Sequence, residues 1–185
     1  MANYQLTPIY PGDGAIHDFE GLCIKEITNH SIVSCAANKN QHGNVSSALE
    51  SALQLSWPEI GHCTAASQAL CLGLQIDQCF VMVENEHPIA KELSSTLKSV
   101  AAVTDQSDGW IILDISGSRT RDVLERICPI DLADDKFPIH SLARTSMEHL
   151  NVIIVRLDDS FLMLSPRSSA ESFLHAVVQS AHYVI

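Results

Sequence analysis

Positive charge and aromatic rings are both scarce in this chain. Eleven Lys and Arg stand against 22 Asp and Glu, a formal net charge of −11, with an isoelectric point near 5.1. Nucleic acid and anionic membrane surfaces are recognised through a positive footprint, so this balance excludes both as partners. Aromatic residues make up 5%, too few for a platform on which single-stranded bases stack. Long apolar runs are missing as well. The longest unbroken one, Cys79-Phe80-Val81-Met82-Val83, is far below the ~20 residues a membrane-spanning helix needs. Met1 to Gln5 offer neither a basic nor an apolar leader region, so a cytoplasmic protein without an export signal is expected.

The motifs of common chemistry are absent too. No Cys-x-x-Cys, His-Glu-x-x-His or EF-hand loop occurs, and the nine histidines are scattered, so no metal site is expected. Pro11-Gly12-Asp13-Gly14 has two glycines but no strand before it, and an aspartate where an anion would sit. Gly117-Ser118-Arg119 does stand at a strand-to-helix turn, where backbone N–H groups can receive an anion, although capping is the simpler role for Ser118. No Gly-x-Ser-x-Gly is found. Asp105-Gln106-Ser107-Asp108-Gly109 reads as turn chemistry and Asp134-Asp135-Lys136 as a solvated loop. No catalytic residue is assigned.

Enough apolar mass is present for a core. Of 185 residues, 46% are apolar and 18% charged, the balance of a folded domain rather than a disordered chain. Six cysteines, at 23, 35, 63, 71, 79 and 128, are read as reduced and mostly buried, since nothing marks the chain for export. The sequons at Asn29 and Asn44 are then inert.

Alternation and helical spacing organise the chain. Residues 1–20, with Pro8, Pro11, Gly12 and Gly14, form an irregular arm. Strands are expected at Leu22–Ile27, Ser31–Cys35, Ala69–Leu74 and Cys79–Glu84. Helices are expected from an Asn44 cap through Leu53, and from Pro88 through Val100. In the second half, Gly109–Ile115 is a strand, and Ser118 caps a helix from Arg119 to Ile127. Strands follow at 142–147, 151–157 and 161–164, with Asp158-Asp159 as the turn between the last two. Ser168-Ser169-Ala170-Glu171 is a capping box ahead of a helix whose apolar face carries Phe173, Leu174, Val177, Val178 and Ala181. The fold class is therefore α+β: two pseudo-repeated strand–helix–strand–strand–helix units, antiparallel sheets with helices packed on them. Residues 21–185 form a single domain with sub-lobes at about 21–100 and 101–185.

All six arginines lie in the second half, at 119, 121, 126, 144, 156 and 167. Guanidinium groups suit fixed bidentate contacts, which makes this half the expected docking surface.

An ordered set of words runs from Thr104 to Ala181. It comprises Thr104-Asp105-Gln106-Ser107-Asp108-Gly109-Trp110, then Gly117 through Leu124, then Cys128-Pro129-Ile130-Asp131-Leu132. Phe137-Pro138, Arg144-Thr145 and Pro166-Arg167-Ser168-Ser169-Ala170 complete it. This set resembles the gamma-subunit family of heterotetrameric sarcosine oxidases, whose fold is related to the folate-binding domain of aminomethyltransferases. In the first half the family's proline and tryptophan are missing from Cys71–Phe80. The resemblance implies a non-catalytic small subunit that supports a complex oxidatively demethylating sarcosine to glycine. Its partners would be the alpha, beta and delta subunits. No cofactor is implied for this chain; FAD, FMN, NAD and tetrahydrofolate would be held by those partners. Trp110, Arg144 and Arg167 are the interface residues the matched words suggest, with Gly109 turning the chain into the Trp110 strand. Two alternatives stand beside this reading. One is a free-standing folate-binding one-carbon transfer protein, although the Lys-Gly-Cys and Gly-Gln-Glu words of the folate-binding repair proteins are absent. The other is an orphan scaffold that dimerises when isolated.

Overall fold

The computed structural model describes residues 16–84 and 89–185. Most of the expected arm, and the helix start at Pro88, lie outside the described residues. In chain order the elements are β1 (Ile16–Phe19), β2 (Leu22–Ile27), β3 (His30–Ala37), α1 (His42–Leu53), β4 (Cys63–Ala66), β5 (Ala69–Gln75) and β6 (Gln78–Glu84). They continue with α2 (Ile89–Thr96), β7 (Ala101–Asp105), β8 (Trp110–Ser116), α3 (Thr120–Leu124), β9 (Leu142–Met147), β10 (Leu150–Arg156), β11 (Ser160–Pro166) and α4 (Ala170–Val184). The α+β class with antiparallel sheets is as expected. Ile16–Phe19, read from sequence as irregular, is a strand because it pairs with β2 in register, His17 opposite Ile24.

The chain divides into two units, one of residues 16–28, 108–139 and 144–185, the other of residues 29–107 and 140–143. The first carries a six-stranded sheet in the order β1-β2-β8-β11-β10-β9, the second a five-stranded sheet in the order β4-β5-β6-β3-β7. The two share one topology. Read from the matching edge, β2-β8-β11-β10-β9 has the same arrangement as β7-β3-β6-β5-β4. In each, a helix follows the second strand of that series, three strands form a meander, and a helix closes the unit. The difference lies in the first strand, supplied from before β8 in one unit and from after α2 in the other.

In the second unit the buried cluster joins Val45 and Leu49 of α1, Ile89 and Leu93 of α2, and the strand residues Val33, Cys35, Cys71, Cys79 and Val81. In the first, α4 lies on β8 and β11 and buries Phe173, Leu174, Val177 and Ala181, the stripe the spacing predicts. Ser180, buried on the same helix, donates its hydroxyl to the Val123 carbonyl of α3 at 2.7 Å.

Three sequence-based cap assignments are corrected. α3 begins at Thr120 with Arg119 as its N-cap residue and no side-chain cap bond, so Ser118 does not cap it. The box at Ser168 and Glu171 does not form either, because Arg167–Ser169 make a 3₁₀ turn before α4 and Ser169 takes the cap position. α1 starts at His42, two residues before Asn44, whose side-chain amide donates to the Gln41 amide oxygen at 2.6 Å.

All six thiols are free, and five are buried; Cys23 is half-buried. Burial pushes Cys63 up to about 11. Burial raises the Cys23 thiol, and Asp18 and Asp114 nearby add to it. Thiols held protonated react slowly. A thiol titration of the native protein should detect no fast-reacting group, and unfolding in denaturant should release all six. Two or more fast thiols in the native state would contradict this burial.

Candidate functional site

Along β2, alternation turns Leu22, Ile24 and Glu26 to the buried face and Cys23 and Lys25 away from it. A carboxylate thus stands where a core residue belongs. Glu26 is 1% exposed, and a buried charge is tolerated only when paired. Arg167 supplies the pairing, its Nη1 donating to Glu26 Oε1 at 3.1 Å. The guanidinium reaches it because β11 ends at Pro166, and the chain turns there in a 3₁₀ turn starting at Arg167. Pro166 is also the register partner of Trp110 on β8. Trp110, half-buried, and Arg167 therefore share one end of the sheet. Arg144 does not join them. It is exposed on the edge strand β9, with β10 and β11 between that strand and β8. The turn into β8 is a 3₁₀ turn, Ser107–Gly109, and Gly109 has no positive φ, so the glycine-specific conformation expected there is not used.

A second cluster occupies the other end of the same sheet, where Ser116 of β8 registers with Ser160 of β11. Seven residues of β8 separate the two ends, roughly 20 Å. Here Arg121 of α3 and Arg156 at the end of β10 converge on one carboxylate, Asp134, which accepts from both guanidiniums. Arg156 is held on several sides. Its Nη1 donates to the Phe137 carbonyl at 2.7 Å, its guanidinium lies 5.9 Å from the Phe161 ring centroid, and Phe161 stacks on Phe137 at 6.4 Å. With only 12% of its side chain exposed, it is a pre-organised cation of the kind that favours fixed contacts.

The two guanidiniums hold the Asp134 carboxyl below the usual carboxylate range. A folded-state pKa below the unfolded one means stability present above the ordinary Asp value and lost as pH falls through the folded value. Asp134→Asn should therefore weaken the protein slightly at neutral pH, and the difference should vanish once wild-type Asp134 is protonated. Urea unfolding of both proteins at pH 7 and below about pH 3 measures this. A difference that grows toward acid would refute the pairing. The effect is small because Asp134 is 68% exposed and surface ion pairs contribute little.

Beside this cluster lies an open cavity of about 240 Å³, walled by the Gly117–Arg121 turn, Arg156, Phe161 and the Leu157–Ser160 turn. The Gly117 turn is tight. With φ +113°, a Cβ there would run into the Gly21 carbonyl, while the Gly21 carbonyl accepts from Arg119 N–H at 2.9 Å.

Sequence reasoning missed Glu26 and Asp134. The first had a readable signal, since a glutamate in phase with Leu22 and Ile24 asks for a cation. The second had none, because the loop from Pro129 to Pro138 carries three aspartates and spacing does not say which one two distant arginines will meet. Among the described residues no group of three or more His, Cys, Asp or Glu is placed to hold a metal, and no helix is long and apolar enough to cross a membrane. The arrangement offers fixed charges and hydrogen-bonding groups suited to binding.

Two antiparallel sheets of matching topology with helices laid on them define an α+β fold found in solved structures. The chain is similar to a chain of the heterotetrameric sarcosine oxidase from Corynebacterium sp. U-96, determined in complex with pyrrole 2-carboxylate. The TM-score is 0.80 at 20% identity, over 88% of this chain and 85% of that one. It is also similar to the glycine cleavage system aminomethyltransferase T from Bartonella henselae, with a TM-score of 0.60 at 13% identity over 83% of this chain. Only 44% of that protein is covered, so the chain spans less than half its length. No family model matches the chain, and no curated protein matches it. At these identities the likeness is one of fold. The resemblance read from the words between Thr104 and Ala181 is borne out at that level, for sarcosine oxidase and for its aminomethyltransferase relation alike.

Proposed function

We propose that this chain is the small, gamma-type subunit of a heterotetrameric, flavin-dependent sarcosine oxidase, with a structural role in assembly. One observation carries the reading. The match to the sarcosine oxidase chain runs over nearly the whole of both chains, whereas the aminomethyltransferase match leaves more than half of that enzyme without a counterpart. In this reading the alpha, beta and delta subunits are the partners, in the cytoplasm, and FAD, FMN, NAD and tetrahydrofolate belong to them. The complex converts sarcosine to glycine by oxidative demethylation, and this chain contributes shape and fixed charge. Arg144, exposed on an edge strand, faces the partner. Trp110 anchors the contact, and Arg167, engaged with Glu26, holds the strand end that carries Trp110. Sedimentation of a host extract tests this: the chain should travel in a complex several times its own 20.2 kDa mass, together with flavin absorbance. Migration as a monomer or dimer would overturn it.

The aminomethyltransferase likeness favours one other reading, a folate-binding one-carbon transfer protein. Equilibrium dialysis of the isolated chain against tetrahydrofolate separates the two. The subunit reading expects no retention, and saturable retention at one molecule per chain would replace it.

A further inference from the structure

A strand at the border of a sheet turns alternate backbone groups outward, and proteins guard such edges with charge, proline or a cover. In the first unit β1 covers β2, pairing antiparallel with it. β7, which holds the place of β2 in the matching topology, is an edge of the second unit's sheet, and among the described residues no strand pairs with its outer side. Two bonds fix which of its groups face outward. Gln106 N–H donates to the Ile32 carbonyl and Asn38 N–H to the Val100 carbonyl, both at 2.8 Å, in the register that sets Val33 opposite Asp105. Bonded and non-bonded pairs alternate along an antiparallel ladder. Ala102 and Thr104 therefore bond to β3, while Val103 and Asp105 turn their N–H and C=O groups out of the sheet.

A second observation concerns side chains. On the covered strand β2, Leu22 and Ile24 are buried, and β1 adds Phe19, whose ring meets His182 of the closing helix α4 at 5.1 Å. On β7, Val103 packs against the buried cluster of the second unit yet is only half-buried. The usual guards are missing too. Ala101-Ala102-Val103-Thr104-Asp105 holds no Lys, Arg or Pro. By contrast, the edge strand β9 exposes Arg144, and His62 and Cys63 at the start of β4 are bridged to Ser141 and His140.

We propose that β7 is a strand-addition site, on which an extended segment of a partner protein chain pairs antiparallel with Ala101–Asp105 and lays an apolar side chain beside Val103. Main-chain bonds to Val103 and Asp105 supply the affinity, and the position beside Val103 supplies the selectivity. Two copies of a chain carrying −11 repel one another, which favours a different partner over a second copy. Asp105, the one charged residue of the strand, favours lysine or arginine opposite it. The inference rests on the subunit reading above and adds the place and kind of one contact.

The test uses the full chain and, as probe, the flavoprotein that the wild-type chain retains from its host, purified and identified by flavin absorbance and mass. Amide hydrogen exchange, read residue by residue, compares the chain alone with the chain in that complex. Val103 and Asp105 should exchange fast alone and at least about tenfold more slowly in the complex, while Ala102 and Thr104 are slow in both. Val103→Pro removes an outward N–H and leaves the bonds to β3 whole. It should bind at least about tenfold more weakly, the effect of losing one bond and stranding its acceptor. Val103→Thr keeps the N–H and should weaken binding by no more than about threefold. Unchanged exchange at Val103 and Asp105 in the complex would overturn the proposal and leave the subunit reading intact, whether or not Val103→Pro folds. Slow exchange in the chain alone would overturn it too, the edge then being taken by this chain or, if protection grows with concentration, by a second copy. Equal weakening by the two variants would overturn it as well, since the contact would be one of side chains alone. Retention of no flavoprotein by the wild type would remove the subunit reading and this contact with it.

Discussion

Gly73→Ala is expected to destabilise the protein by about 3 kcal/mol or more, the range reserved for substitutions with a definite steric cause. Gly73 lies on β5, and its backbone is bonded on both sides: its N–H donates to the His62 carbonyl at 2.9 Å, and its carbonyl accepts from Gly61 N–H at 3.0 Å. These bonds bring the 59–62 segment against the strand. A Cβ at position 73 would lie inside contact distance of the Glu59 carbonyl oxygen, and 3.0 Å from both the Glu59 carbonyl carbon and the His62 oxygen. The obstacle is backbone, so no side-chain rotation relieves it. The segment must move away, giving up the two bonds and the register of β5 with β6, which is already irregular between Gly73 and Gln75. Urea unfolding followed by circular dichroism measures the loss. A variant within about 1 kcal/mol of wild type would show that the 59–62 segment gives way easily.

The second large effect is at Arg167. Arg167→Ala should cost about 3 kcal/mol, the lower end of what removing one partner of a buried ion pair costs. Glu26 is almost wholly buried while 24% of the Arg167 side chain meets solvent, which places the loss at that lower end. The pair spans 141 residues of sequence, joining the end of β2 to the turn after β11. Glu26→Leu with Arg167→Met should recover most of the stability, because two apolar groups of similar shape leave no charge to pair. The double-mutant cycle is the measurement. A double variant as unstable as Arg167→Ala would mean that the contact serves packing rather than charge. Neither change touches the exposed Arg144.

Much of the fold was legible where one period dominates. Leu22–Ile27, Trp110–Ser116 and the two strands around Asp158-Asp159 alternate or run apolar between turn residues, and the last helix holds its apolar stripe over four turns; all of these are observed. The shorter strands were not legible. Cys63–Ala66 and Ala101–Asp105 are edge strands of four and five residues, fixed by their neighbours rather than by any pattern of their own. Ile16–Phe19 is the same case. At α3 and α4 the caps were legible only to within a residue, since Arg119 and Ser169 take the cap positions one residue past Ser118 and Ser168, and neither makes a side-chain cap bond. Of the site, the arginine asymmetry pointed to the second half, where Arg121, Arg156 and Arg167 engage carboxylates of this chain. Which carboxylate Arg121, Arg156 and Arg167 meet depends on contacts 13 to 141 residues away, and no local spacing encodes that.

The central claim is that this chain works as part of a flavoprotein assembly, and a tagged pull-down from the native host tests it most directly. The account predicts a yellow eluate in which large flavin-bearing chains accompany this one in fixed ratio, with the sarcosine-oxidising activity in the complex and none in the chain alone. A colourless eluate containing this chain alone, or as a dimer of itself, would contradict it.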